Sequence, residues 1–121
     1  MDKRSFGNDP AQVSLLGFGC MRLPVLPDSK GIDETAATTM LDFAYEQGVN
    51  YFDTAWGYLN GKSEAFVGSV LKKYPRDSFY LASKMPGWLL KNLPEAKELF
   101  AAQLERCQVE YFDCYLLHSL T

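Results

Sequence analysis

Short apolar runs that end in polar residues alternate along this chain with helical patterns. Arg4-Ser5-Phe6 and Gln12-Val13-Ser14 flank the turn cluster Gly7-Asn8-Asp9-Pro10, which predicts a small hairpin. Leu15-Leu16-Gly17-Phe18-Gly19 reads as a short buried strand whose glycines let something approach the backbone closely. Residues 23–31 hold two prolines and read as loop. Asp33 can cap a helix, with Glu34 in its first turn and Ala36, Ala37, Met40, Leu41, Ala44 and Tyr45 at helical spacing. Gly48 is a natural stop, and Val49-Asn50-Tyr51-Phe52 follows as a strand ending at Asp53. Ser63, with Glu64 behind it, is the next cap, and Phe66, Val67, Val70 and Leu71 form the apolar face of that helix. Residues 79–82 make a strand ending at Ser83-Lys84. Pro94 suits the first turn of a third helix with Ala96, Leu99, Phe100, Leu104 and Cys107 on one face. Residues 111–117 form the last strand, ending at His118.

The order βαβαβαβ argues for parallel strands joined by crossover helices. Strand centres lie roughly 30–35 residues apart, which matches the unit of a (β/α)8 barrel, where about 250 residues make eight units. The fold expected is α/β: the first half of a TIM barrel, with four parallel strands, three crossover helices and an N-terminal β-hairpin. Residues 1–121 are then a partial barrel domain that stops after the fourth strand. An open doubly wound sheet is the rival, but Gly17-x-Gly19 lacks the third glycine of a dinucleotide fingerprint because position 22 is Arg.

Composition narrows the classes without choosing among them. The chain has 121 residues, 47% apolar and 22% charged, which suits a globular domain and excludes disorder, collagen and coiled coil. Twelve basic and 15 acidic residues give a net charge of −3, so there is no basic excess for nucleic acid. No apolar run approaches the ~20 residues of a membrane span. The start, MDKRSFGNDP, has no apolar run and is not expected to be a secretory signal. Cys20, Cys107 and Cys114 form no C-x-x-C pair and read as buried thiols, not metal ligands, which fits a reducing, cytoplasmic setting.

Asp53, Tyr58, Lys84 and His118 all fall at or just past the C-terminal ends of strands, where barrel enzymes gather their catalytic groups. Each has a plain alternative: a turn cap, a packed aromatic, a solvated strand end and a core histidine. Their common placement on one rim is what separate explanations fail to give.

Asn50-Tyr51-Phe52-Asp53-Thr54-Ala55-x-x-Tyr58 resembles the aldo-keto reductase signature, and Ser63-Glu64-x-x-x-Gly68-x-x-Leu71 continues it. Leu81-Ala82-Ser83-Lys84 is similar to the strand carrying the family lysine, and Tyr111-x-Asp113-x-Tyr115-Leu116-Leu117-His118 to the strand carrying the family histidine. The resemblance runs from about Val13 to the last residue. Gly17-Phe18-Gly19-Cys20-Met21-Arg22-Leu23-Pro24 and the ending Leu-Leu-His-Ser-Leu look most like a bacterial subgroup that often carries a ferredoxin-like iron–sulfur module after the barrel. These residues encode no such module, so any iron–sulfur cluster would belong to a missing C-terminal part.

The resemblance implies reduction of aldehyde or ketone carbonyls by a nicotinamide cofactor, usually NADPH, since no side chain supplies a hydride. It casts Tyr58 as proton donor. A free tyrosine has a pKa near ~10, and a nearby ammonium favours the phenolate, which is the part of Lys84. Asp53 pairs with that lysine and contacts the nicotinamide ribose. His118 orients the carbonyl. Gly19, Cys20 and Met21 match a family segment near the nicotinamide, and Trp56 and Trp88 lie on βα loops that line a carbonyl pocket. The later loops that grip the cofactor in the family lie outside these residues, so the 121-residue chain alone is expected to be inactive and to self-associate through its exposed half-barrel edge. Ser119-Leu120 stands where Trp-Pro is commoner. Two other readings remain: a Schiff-base lyase with Lys84 as nucleophile, and a non-catalytic nicotinamide-binding barrel or subunit.

Overall fold

The structure is a computed structural model that describes residues 1–28 and 30–120. Strands β1 (Lys3–Phe6) and β2 (Asp9–Ser14) pair antiparallel as the expected hairpin. Only Gly7 and Asn8 make its turn, with Gly7 at φ +63°. Asp9 and Pro10, expected in the turn, already belong to β2.

Four parallel strands follow in the spatial order β3 (Phe18–Gly19), β4 (Tyr51–Asp53), β5 (Tyr80–Met85) and β6 (Cys114–Leu117). The crossovers are α1 (Glu34–Glu46), α3 (Ser63–Leu71) and α4 (Leu93–Cys107), and the short α2 (Tyr58–Gly61) precedes α3. This is the α/β fold with a parallel four-stranded sheet that the alternation predicts. The loop expected over 23–31 is present on its described residues, closed by a bridge between Val25 and Ile32; Ser29 lies outside the described residues.

Several elements differ in detail. The first barrel strand is shorter than expected, because Leu15 and Leu16 sit in the bend that joins the hairpin to β3 and are exposed. On α1 the buried stripe is Ala37, Leu41 and Ala44, while Met40 is turned outward. Asp33 caps α1 as predicted, accepting from the Ala36 N–H at 3.1 Å, and Gly48 (φ +98°) follows its end. Ser63 does not cap α3. It is the first helical residue, and its hydroxyl faces Thr54 and the Cys20 carbonyl. The α4 stripe is Ala96, Gln103 and Cys107, with Leu99, Phe100 and Leu104 only half-buried. Asn92 caps it, accepting from the Glu95 N–H at 2.9 Å. The last strand begins at Cys114, because the Asp113 side chain takes the Leu81 N–H (2.8 Å) that a strand carbonyl would otherwise accept.

The core lies between the sheet and helices α1 and α3. Phe52 is fully buried at its centre, with the Phe18 ring 6.0 Å away and the Phe79 ring edge-on at 6.3 Å. Leu41, Val67, Leu71 and Leu81 close around it. Each such side chain contributes about 1.5–3 kcal/mol by leaving water. Because strand residues alternate faces, Phe52 and Leu81 turn toward the helices. Asp53 and Lys84 turn to the other face, at the C-terminal ends of their strands.

Candidate active site

The polar rim is assembled by strand parity and by two tight loops. Asp53 ends β4 and Lys84 is the fifth residue of β5, which runs on through Ser83-Lys84 to Met85. The Lys84 ammonium donates to Asp53 Oδ2 at 2.6 Å and to the Thr54 carbonyl at 2.8 Å. The lysine side chain is 12% exposed and the aspartate 30%. Such a short charge-assisted bond in a half-dry setting fixes both groups.

Tyr58 is the first residue of α2, shortly after β4, with its ring against this ion pair. The Lys84 Nζ stands 4.6 Å from the ring centroid, over its face, where the ring quadrupole attracts a cation. His118 follows β6 directly, and its backbone N–H continues the ladder by donating to the Met85 carbonyl at 3.0 Å. Its ring meets Tyr58 edge-on at 5.8 Å and Trp88 at 5.2 Å. His118 Nδ1 is buried without a hydrogen-bond partner among the described residues. Trp88 is 59% exposed, so an apolar plane borders the open side of the cluster. The four sequence-predicted residues thus come together around one opening: an ammonium–carboxylate pair, a phenol and an imidazole.

The remaining predicted residues divide. Gly19 and Met21 are exposed at the end of β3. Cys20 is fully buried; its N–H donates to the Asp53 carbonyl at 2.8 Å and its carbonyl accepts from Ser63 at 2.9 Å. Burial, with the Asp53 charge adding, pushes its thiol up to about 12, so it stays protonated at neutral pH. Trp56 is half-buried. Its ring lies under the Arg106 guanidinium, 4.0 Å from the centroid, on the α4 side.

Behind the rim, on the helix side of β5, sequence reasoning misses a buried polar cluster. Glu64, Ser83 and Gln103 are all fully buried. Glu64 Oε2 accepts from the Ser83 hydroxyl (2.7 Å) and the Gln103 amide (3.0 Å). Tyr115 hydrogen-bonds to Gln103 Oε1, and burial pushes its phenol up to about 12. The signal in the sequence is modest: Glu64 and Gln103 interrupt otherwise apolar helical faces. Among the described residues no group of three His, Cys, Asp or Glu is placed to hold a metal ion, and no helix is long and apolar enough to cross a membrane.

Beside Asp53 the end of β3 leaves space. Gly19 stands across from Asp53 in the β3–β4 register. Nothing lies within 4 Å of the place a side chain on Gly19 would take. Lys84 engages one Asp53 oxygen, leaving the other to accept a hydroxyl.

Comparison with known proteins places these observations. The family model described as the Aldo/keto reductase family matches residues 15–121. The chain is 32% identical over 136 residues to an NADH-specific methylglyoxal reductase of Escherichia coli, covering 98% of this chain and 42% of that protein. Among solved structures it is similar to the holo form of the aldo-keto reductase AKR11C1 from Bacillus halodurans, at 38% identity and a TM-score of 0.80, covering all of this chain and 41% of that one. An aldo-keto reductase from Klebsiella pneumoniae in complex with NADPH matches at 28% identity and a TM-score of 0.76, again with 100% and 41% coverage. The chain spans 35–42% of the length of the curated relatives it matches.

Proposed function

Because the chain belongs to the aldo/keto reductase family, we propose that the whole protein reduces aldehyde or ketone carbonyls to alcohols with a nicotinamide dinucleotide, NADPH before NADH. The observation that carries this reading is the convergence of Lys84 on Asp53, at 2.6 Å, and on the face of Tyr58, at 4.6 Å, with His118 edge-on to the same ring.

The bound dinucleotide supplies the hydride that the carbonyl carbon receives. Asp53 and Gly19 are the residues to hold its nicotinamide end, with Met21 beside them. The chain's own residues do the rest. Tyr58 donates its hydroxyl proton to the carbonyl oxygen, so that negative charge does not build up there. The phenolate left behind is stabilised by the Lys84 ammonium and regains its proton from water. Asp53 and the Thr54 carbonyl bind two of the ammonium's protons and aim it at the ring. His118 hydrogen-bonds the carbonyl oxygen and sets its angle, and Trp88 offers an apolar wall to the substrate. The same two bonds on Lys84 suit an ammonium better than the free amine a Schiff-base nucleophile requires.

The experiment is Tyr58→Phe in the whole protein, assayed with 4-nitrobenzaldehyde and either NADPH or NADH. Loss of the acid should lower kcat by about 100-fold or more, the usual worth of a positioned proton donor, while NADPH binding, followed by its fluorescence, changes little. Lys84→Met should be comparably severe. Full activity of Tyr58→Phe would refute the assignment of the acid, and dinucleotide binding without any turnover by the wild type would favour a non-catalytic barrel. An adduct on Lys84, trapped by borohydride with the aldehyde, would favour the lyase.

A further inference from the structure

The buried cluster behind the rim touches both halves of the proposed machinery, and its charge is otherwise unexplained. Glu64 is wholly shielded from water. A buried carboxylate is costly unless paired, and apolar packing of the same volume is often as stable. What Glu64 gains is a set of links between three elements. One oxygen accepts from Ser83 on β5 and Gln103 on α4. The other faces the Arg106 guanidinium at 3.5 Å. Gln103 reaches on to the Lys84 carbonyl at 2.8 Å, directly behind the lysine. Arg106 reaches the other way, donating to the Trp56 carbonyl at 3.1 Å and to the Gly61 carbonyl.

Those two carbonyls are the ends of the segment that carries Tyr58. Between them the backbone is unusual. Leu59 (φ 54°), Asn60 (φ 55°) and Gly61 (φ 81°) are three successive residues in the left-handed region, two of them not glycine. Such a conformation persists only where its surroundings impose it. A single guanidinium nitrogen, Nη2, ties both ends of the segment, and the guanidinium carbon stands over the Trp56 ring, 4.0 Å from its centroid.

We propose that Glu64, Gln103 and Arg106 form a positioning centre that locks the Tyr58 loop to the Lys84 strand, with Arg106 as the residue that fixes the Tyr58 hydroxyl for proton transfer. Arg106 acts through Tyr58 and does not touch the opening, so it is a positioning residue. The inference rests on the reading of Tyr58 as the proton donor.

The test uses the whole protein with 4-nitrobenzaldehyde and NADPH. Arg106→Met should lower kcat about 10- to 100-fold, the scale of a misplacement near 1 Å, with aldehyde KM and NADPH affinity within about threefold of wild type. Arg106→Lys keeps the charge but has one nitrogen where the guanidinium uses two, Nη2 on the carbonyls and Nη1 facing Glu64, and it cannot hold both ends at once. It should recover the melting temperature and not kcat. In a Tyr58→Phe background, Arg106→Met should cost less than about twofold more, because effects transmitted through one group are not additive. Unchanged kcat in Arg106→Met, or equal losses in both backgrounds, would overturn the proposal. If Arg106→Met is too unstable to assay, a wild-type kcat in Arg106→Lys overturns it as well. Full activity of Tyr58→Phe rejects the proton donor itself, and is read from a separate variant.

Discussion

Glu64 carries a carboxyl group into a place without water. Burial raises its pKa above the ordinary value of 4.5, although the Ser83 hydroxyl, the Arg106 charge and the Gln103 amide all pull the other way. The folded protein therefore holds this proton at pH values where the unfolded chain has released it. Stability contributed by the protonated form is complete below 4.5 and is lost as pH rises through the folded-state value. Glu64→Gln removes that titration. Urea unfolding of both proteins above pH 4.5 should show the stability difference moving toward the variant as pH rises. A difference that stays constant would mean that the hydrogen bonds and the Arg106 charge cancel burial, and one that moves toward wild type that they outweigh it. At this scale the sequence displays Asp53, Tyr58, Lys84 and His118, because motif spacing and strand ends mark them. It does not display Arg106, which looks like one more solvated helix residue until its Nη2 is seen on the carbonyls of Trp56 and Gly61.

Helices α3 and α4 approach more closely than their side chains alone would require. A side-chain carbon added at Gly68 would stand 2.3 Å from the Cys107 carbonyl oxygen, a backbone atom that cannot swing aside. Gly68 is thus the point where two helix backbones meet, and the contact brings Glu64 of α3 within reach of Gln103 and Arg106 of α4. Alanine has the higher helix propensity, by about 1 kcal/mol. The steric cost is larger, and Gly68→Ala should destabilise by about 1–3 kcal/mol as the helices are forced apart. A shift of the urea midpoint to lower denaturant would bear this out, and an unchanged or raised midpoint would show that α4 can give way. The pattern of apolar positions predicts both helices and the α3 face of Phe66, Val67, Val70 and Leu71, all of which are buried. It does not predict which small residue lets a second helix settle on the first, because that depends on a neighbour 39 positions away in the chain, the separation of Glu64 from Gln103.

Two strands, β3 and β6, form the outer edges of the four-stranded sheet. Leu116 and Leu117 on β6 are 43% and 60% exposed, and Leu15 and Leu16 before β3 are 57% and 61% exposed. Unpaired edges flanked by apolar side chains recruit other chains. The 121-residue polypeptide, prepared by itself, should self-associate and bind a hydrophobic dye. A monomer in sedimentation, with a sharp cooperative melt and no dye binding, would contradict this. In the same preparation NADPH-dependent reduction should be nearly absent, since the chain spans less than half of the relatives it matches.

The sequence by itself determined the order of strands and helices, the hairpin, the caps at Asp33 and the four polar residues at strand ends. All of these are local: periodicity, cap chemistry and strand alternation act within a few residues. Tertiary structure decided what lies between distant segments. It placed the Lys84 ammonium on the face of the Tyr58 ring, buried Cys20 while leaving Gly19 and Met21 open, and turned Trp56 under Arg106 while Trp88 stayed at the opening. It also joined Glu64, Gln103 and Arg106 behind the rim. These pairings depend on how two helices pack across a sheet. One chain position cannot encode the distance and angle at which another arrives, and in a low-dielectric interior those distances set whether a buried charge is a liability or a fastening.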